Sequence, residues 1–377
     1  MVAHRGGQAI VLALILLAAA AWYAPAVDGP FVYDDVRVVT QATSVDLSPA
    51  AVVRWVPGRA LTILTYAMNA RWHGFDARGY HAVNVALHLA NGVLVFAVAA
   101  QLVAPTAALA AAAVFLWHPL NSQAVNYVSA RSDLLLTLWV LLATWSVLRA
   151  GRRPWLWALA ILAMAAAGAS KEIGLVIVPL ASVTLLAWRR QVPAVPYAVA
   201  AVWILLGATV GAHWTRIEAW FAMTARNGGS SLDPLTHAVG QASALWWLLS
   251  TIPWPAGFSI DHDFAMLSVS WQVSGVMLTG FALIAILLAW ETWPVLAWSL
   301  AWVLVAVGPR FVMGTQDLLT ESQLYLAMVG ASVLTGQGVV ALLRRRGPDP
   351  SLTLSSVGFW RELRQQWRVQ SLHGGIA

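Results

Sequence analysis

The run AIVLALILLAAAAWYAPAV, Ala9 to Val27, carries no charged side chain and is long enough, as a helix, to cross a hydrocarbon core of about 30 Å. A second run, VALHLANGVLVFAVAAQLVA from Val85 to Ala104, has the same character. These stretches decide the fold class because the rest of the chain repeats the pattern. Of 377 residues, 60% are hydrophobic and 10% are charged, with a mean hydropathy of +0.71. One soluble core could not bury that much apolar surface, so the expectation is an all-α polytopic membrane protein. The first run does not read as a cleaved leader, since no A-x-A site opens a soluble domain and further spans follow. Cysteine is absent, which removes disulfides and thiolate metal sites.

Basic clusters mark the cytoplasmic side: Arg5, Arg149 with Arg152 and Arg153, Arg189 with Arg190, and Arg344 to Arg346. Spans over 8–26, 81–103, 106–117, 132–149, 154–169, 173–188 and 194–213 put the first three clusters inside. The arginine triplet also returns inside if 238–253 lies along the outer interface and 271–290, 292–308 and 323–343 cross. The result is about ten crossings of some 20 residues or fewer, with both termini cytoplasmic. The transmembrane domain covers 1–346, its first outer loop 27–80, and a short tail 347–377. In that tail Trp360, Leu363 and Trp367 share a helical face beside Arg361, Arg364 and Arg368, the pattern of a helix resting on an anionic leaflet. The net charge of +6 comes from 21 Arg and one Lys. It follows topology and forms no aromatic-interleaved patch, so nucleic acid is not an expected partner.

Only Glu291, Asp349 and Glu362 among the 16 acidic residues fall inside on this layout. Longer outer loops account for part of that asymmetry. Acidic residues do little to set topology, however, so the outer face is where chemistry is expected. Asp34 and Asp35, in FVYDDVRVV, leave the membrane side by side. Adjacent carboxylates repel unless a cation or metal lies between them, and one can serve as general base on a hydroxyl; a solvated pair capping a helix near Val36 is the plainer alternative. His81, Asn84, His88 and Asn91 recur at i, i+3, i+7 and i+10. Such a polar stripe must face protein, water or substrate rather than lipid, and a metal there would need a third ligand from elsewhere. In WHPLNSQAVNYVSARSD, His118-Pro119 ends one helix and Arg131 and Asp133 open the next. Arg131 is a candidate fork around a phosphate, or a structural partner of Asp133 or Asp34. Lys171, the only lysine, lies in ASKEIG between apolar runs, with Glu172 as its nearest partner and an anionic headgroup as the alternative. Asp261 and Asp263 form a DxD pair without any Gly-rich phosphate loop.

Seven short motifs occur in one order: YDD at Tyr33; RALTILTYAMN at Arg59; GYHAVNVALH at Gly79; AAAVFLWHPLNSQAVNYVSAR at Ala111; SKE at Ser170; PAGFSIDHD at Pro255; and ESQLYLAMVG at Glu321. Together they resemble the membrane part of the transmembrane-and-tetratricopeptide-repeat O-mannosyltransferases and their bacterial relatives, within the GT-C superfamily. The resemblance implies a GT-C-like bundle with periplasmic loop helices. It also implies transfer of a sugar from a polyprenyl-phosphate donor to a hydroxyl acceptor on the outer face, with Asp34 and Asp35 as the catalytic pair. Displacement would invert the anomeric centre. Arg131, Lys171, Arg59, His118 and Arg310 are the basic groups near the outer boundary that can hold the leaving phosphate. His81, Asn84, His88, Glu172, Asp261, Asp263, Glu321 and Tyr325 would line the substrate cleft. No cofactor is expected, apart from a divalent cation near Asp34 and Asp35 as an open alternative. Ser322 follows Glu321 where the family usually has Arg, Ala60 follows Arg59 where it has Pro, and the repeat array is missing. The acceptor is then protein Ser/Thr or a glycolipid such as lipid A or an O-antigen. High Ala, Arg and Trp with almost no Lys points to a GC-rich bacterium and its inner membrane. A carrier using Asp35, Lys171 and His81 as a relay is the rival of another class, although ionisable residues near one face and no internal repeat speak against it.

Overall fold

The computed structural model describes residues 2–44, 59–150, 153–171, 173–174, 180, 184, 234–259, 268–312 and 318–345. Every regular element among them is helical. The helices are α1 (Val2–Tyr23), α2 (Asp35–Thr43), α3 (Ala60–His73), α4 (Ala77–Leu102), α5 (Pro105–Trp117), α6 (Ser122–Asn126), α7 (Arg131–Ala150), α8 (Pro154–Ser170), α9 (Pro234–Ser250), α10 (Val269–Ala289), α11 (Pro294–Val312) and α12 (Ala327–Arg345). Their limits follow local rules. Pro opens α5, α8, α9 and α11, where its missing N–H would be unsatisfied anyway. At the start of α4 the Asp76 carboxylate accepts from the Arg78 amide at 3.1 Å. Pro119 ends α5 by forcing His118 into an extended conformation.

The chain is an all-α polytopic membrane protein. Among the described residues, five helical stretches are long and apolar enough to cross a membrane: Gly6–Asp28, Ala77–Leu102, Val128–Ala150, Val269–Ala289 and Pro294–Phe311. Pro105–Trp117, Pro154–Ser170 and Ala327–Leu343 are shorter apolar helices. These eight coincide with eight of the expected crossings. The crossings expected over 173–188 and 194–213, and the amphipathic tail, lie almost wholly outside the described residues. Packing depends on small residues, since apolar side chains gain little by leaving lipid for one another. A Cβ built on Gly336 of α12 would lie 2.6 Å from the Ala111 backbone nitrogen and 2.8 Å from the Ala107 carbonyl oxygen of α5. Only glycine permits that approach.

The helix ends alternate, and one end gathers the polar residues. There the C-terminal ends of α1, α5, α8 and α11 meet the N-terminal ends of α4, α7 and α12. Arg78 pairs with Asp28 at 2.9 Å, Thr62 Oγ1 donates to the Ser170 carbonyl at 2.6 Å, and the Ser322 amide donates to Gln123 Oε1 at 2.6 Å. α9 also meets this end. Near its start, His237 Nε2 donates to the Arg310 carbonyl at 3.1 Å. Just past its end, the Ile252 carbonyl accepts from His118 Nε2 at 3.1 Å.

Candidate active site

The acidic pair sits in a closed turn. The Val32 amide donates to Asp35 Oδ2 at 3.1 Å, and the Asp35 amide returns a bond to the Val32 carbonyl at 3.0 Å. Between them Tyr33 takes φ +48°, a left-handed conformation that costs energy for a residue with a Cβ, and its ring is exposed. The turn parts the two carboxylates. Asp35 is fully buried, and its Oδ1 accepts from the Ser129 amide at 2.8 Å and the Ser129 hydroxyl at 2.7 Å. Asp34 stands in solvent at the N-terminus of α2, its side chain 58% exposed and paired with Arg37 at 3.2 Å. It makes no side-chain cap hydrogen bond. The two do not form a chelate, and no group of three or more His, Cys, Asp or Glu among the described residues is placed to hold a metal.

Arg131 is fully buried. Its Nε donates to Asn84 Oδ1 at 2.9 Å, Nη1 to Asn69 Oδ1 at 2.7 Å and to the Thr65 carbonyl at 3.3 Å, and Nη2 to the Tyr80 carbonyl at 3.1 Å. The guanidinium also lies 4.5 Å from the centre of the Tyr66 ring. Four of its five N–H donors are therefore taken by protein. It bolts α7 to α3 and α4, and it pairs with neither Asp133 nor Asp34, the partners weighed from sequence. Such a guanidinium supports the site from behind instead of forking an anion.

Asp133 instead forms a salt bridge with Lys171, both side chains nearly buried. The partner of the lone lysine is thus one helix away in space, whereas Glu172 lies outside the described residues. Burial holds the Lys171 pKa below its usual value; Asp133 opposes that, while Arg310 and Arg59 add to it. Arg59 and Arg310 therefore each lie within electrostatic reach of Lys171 at the site end. Tyr66 joins this group to the acidic turn. Burial raises its pKa, and it feels both Asp35 and Arg59, while its hydroxyl donates to the Val128 carbonyl at 2.7 Å.

The polar stripe on α4 divides by depth. Asn84 holds Arg131 and donates to the Val125 and Tyr127 carbonyls, each at 3.3 Å. His88 is fully buried, with Nε2 at 3.1 Å from the Leu116 carbonyl and Nδ1 at 2.6 Å from the Tyr325 hydroxyl. The carbonyl requires Nε2 to carry the proton, so Nδ1 accepts from Tyr325. Asn91 then donates to the Tyr325 oxygen at 3.2 Å. His88 and Tyr325 thus tie α4 to the start of α12 and line no open cleft. His81 differs: it is buried against Gly29 and within reach of Asp35, with the Gly29 and Pro30 backbone facing its ring.

His118 is also engaged. Beside its bond to Ile252, Nδ1 accepts from the Leu120 amide at 3.2 Å. Glu321 is buried and accepts from the Ser259 amide at 2.9 Å. Asp261 and Asp263 lie outside the described residues. An apolar crevice of about 160 Å³ opens between α9, α11 and α12, with Ser299, Val303 and Ala331 as its buried floor. Arg310 stands two turns along α11 from Val303, towards the site end.

Three residues that matter here were not singled out from sequence. Ser129 and Tyr127 lie within the motif of α6 and α7 but look like ordinary turn residues. Tyr127 packs against Asp34 and Ser129, and burial, then the Asp34 charge, raises its pKa. Asn69 ends the RALTILTYAMN motif and shares the buried face of that helix with Thr62 and Tyr66.

Parts of the chain are similar to protein O-mannosyl-transferases. The similarity to Tmtc2 of Drosophila melanogaster is 40% identity over 119 residues, covering 29% of this chain and 13% of that protein. Human TMTC4 is 29% identical over 151 residues, covering 32% of this chain and 20% of that protein, and human TMTC1 is 28% identical over 151 residues, covering 35% and 17%. The chain thus spans a fifth or less of the length of these relatives. No family model matches it, and no solved structure matches it.

Proposed function

We propose that the chain is a membrane-embedded glycosyltransferase. It moves a sugar from a polyprenyl-phosphate donor to a hydroxyl acceptor, protein Ser/Thr by analogy with the named relatives, on the periplasmic face of a bacterial inner membrane. One observation carries the reading: the exposed Asp34 and the cations Arg59, Lys171 and Arg310 share one end of the bundle, joined through Tyr66. Asp34 accepts the proton of the acceptor hydroxyl, whose oxygen then bonds to the anomeric carbon as the bond from that carbon to the phosphate oxygen breaks. The electron pair leaves with the polyprenyl phosphate, and the three cations stabilise its growing charge. The configuration inverts. The donor's isoprenoid tail has the crevice between α9, α11 and α12 within reach of Arg310. Asp35, with every oxygen taken by protein, anchors the turn and spares Asp34 for the acceptor.

The test is sugar transfer by purified protein from short polyprenyl-phosphate sugars to a serine-containing peptide. Asp34→Asn is expected to abolish turnover, by about 100-fold or more, while leaving the unfolding midpoint where it was. Asp35→Asn is expected to lower the midpoint as well. A wild type that turns over no donor, or an Asp34→Asn variant as active as wild type, overturns the reading.

A further inference from the structure

The Val32–Asp35 turn is held from outside by one residue that the function does not yet use. Both donors of Ser129, amide and hydroxyl, converge on Asp35 Oδ1 at 2.8 and 2.7 Å. The other oxygen of the same carboxylate closes the turn through the Val32 amide. Ser129 is itself rigidly placed. It lies in the short 3-10 turn Val128–Ala130, whose first carbonyl is held by Tyr66 and whose next residue is Arg131, bolted to α3 and α4. On the far side of the turn Tyr33 is kept at φ +48°. A left-handed tyrosine persists only where its surroundings over-determine it.

We infer that Ser129 is a positioning residue, a latch that acts through Asp35 to hold the strained Tyr33 and so to fix the pose of Asp34. This inference rests on the proposed role of Asp34. Without the latch, Tyr33 relaxes towards negative φ, the turn opens, and the Asp34 carboxylate swings away from the acceptor. Ser129 does not meet the acceptor or the donor. The hydroxyl is what the latch needs, because the amide remains in any variant; threonine supplies the same donor and alanine none.

The experiment measures kcat and KM for sugar transfer in four backgrounds: Ser129→Ala, Ser129→Thr, Tyr33→Asn, and Tyr33→Asn with Ser129→Ala. A base displaced by about 1 Å costs on the order of 100-fold in rate. A partial opening of the turn is therefore expected to cost Ser129→Ala about 10- to 100-fold in kcat, with KM within about twofold. Ser129→Thr restores most of it. Asparagine accepts a left-handed φ more readily than tyrosine, so in the Tyr33→Asn background Ser129→Ala is expected to cost less than about threefold. Equal losses in both backgrounds, the additive result for residues that do not interact, overturn the latch. Hydrogen exchange separates this inference from the functional one. Ser129→Ala should speed exchange of the Val32 and Asp35 amides, whether or not any donor is turned over. Unchanged exchange there removes the latch even from an active transferase, whereas faster exchange in a protein that transfers no sugar keeps the latch and removes the proposed chemistry.

Discussion

Replacing Arg131 with methionine separates the two roles that a buried arginine near a phosphate site can have. Methionine keeps much of the stem's volume but leaves Asn84 Oδ1 and Asn69 Oδ1 without this donor, while the Thr65 and Tyr80 carbonyls lose a second bond and keep their helical ones. Each orphaned buried acceptor costs about 1–3 kcal/mol, so the gross loss is about 2–6 kcal/mol. Against this, the variant no longer desolvates a guanidinium, a relief of several kcal/mol. The net destabilisation is expected to be about 1–3 kcal/mol, the scale of one unsatisfied buried group. Arg131→Lys keeps the charge but replaces a planar fork by three donors on a point, and should fall between wild type and methionine. The assay is unfolding of the purified protein in mixed micelles as the fraction of denaturing detergent rises, with the donor KM measured alongside. An Arg131→Met protein as stable as wild type, with only its donor affinity lost, would refute the cage and return Arg131 to the phosphate.

Two further outcomes follow from buried groups at the same end. Lys171→Met strands Asp133 as an uncompensated buried charge and should cost about 3–5 kcal/mol. Adding Asp133→Leu should restore most of that stability but not sugar transfer, so a double variant with full activity would exclude Lys171 from the phosphate site. His118 is neutral in the fold, and burial holds its pKa below the usual 6.5. Its stabilising bonds are present above that pH and lost as pH falls towards the folded value. The unfolding midpoints of wild type and His118→Gln should therefore converge as pH falls below about 6.5, and a gap that stays constant on acidification would place the stabilisation elsewhere.

Fold class was legible because a membrane makes it local. A spanning helix must satisfy its backbone within its own segment, so length and apolarity of a run are enough to find it. The arginine clusters then gave the end at which to look for chemistry. The parting of Asp34 from Asp35 was half legible: Arg37 is three residues along the same helix, where a partner is expected. Its other half was not, since Ser129 is 94 residues away from Asp35.

What the sequence alone determined is thus the helical membrane fold, most of its spans, and the set of polar residues that cannot face lipid. What only the tertiary structure decided is how those residues divide into support and site. Arg131 finds its partners 47 to 66 residues back along the chain, and Lys171 finds Asp133 38 residues back, not Glu172 beside it. Buried hydrogen bonds and ion pairs are fixed by which helix ends meet. In lipid that depends on small-residue contacts such as Gly336 against Ala111, which leave no charge pattern in the sequence to read.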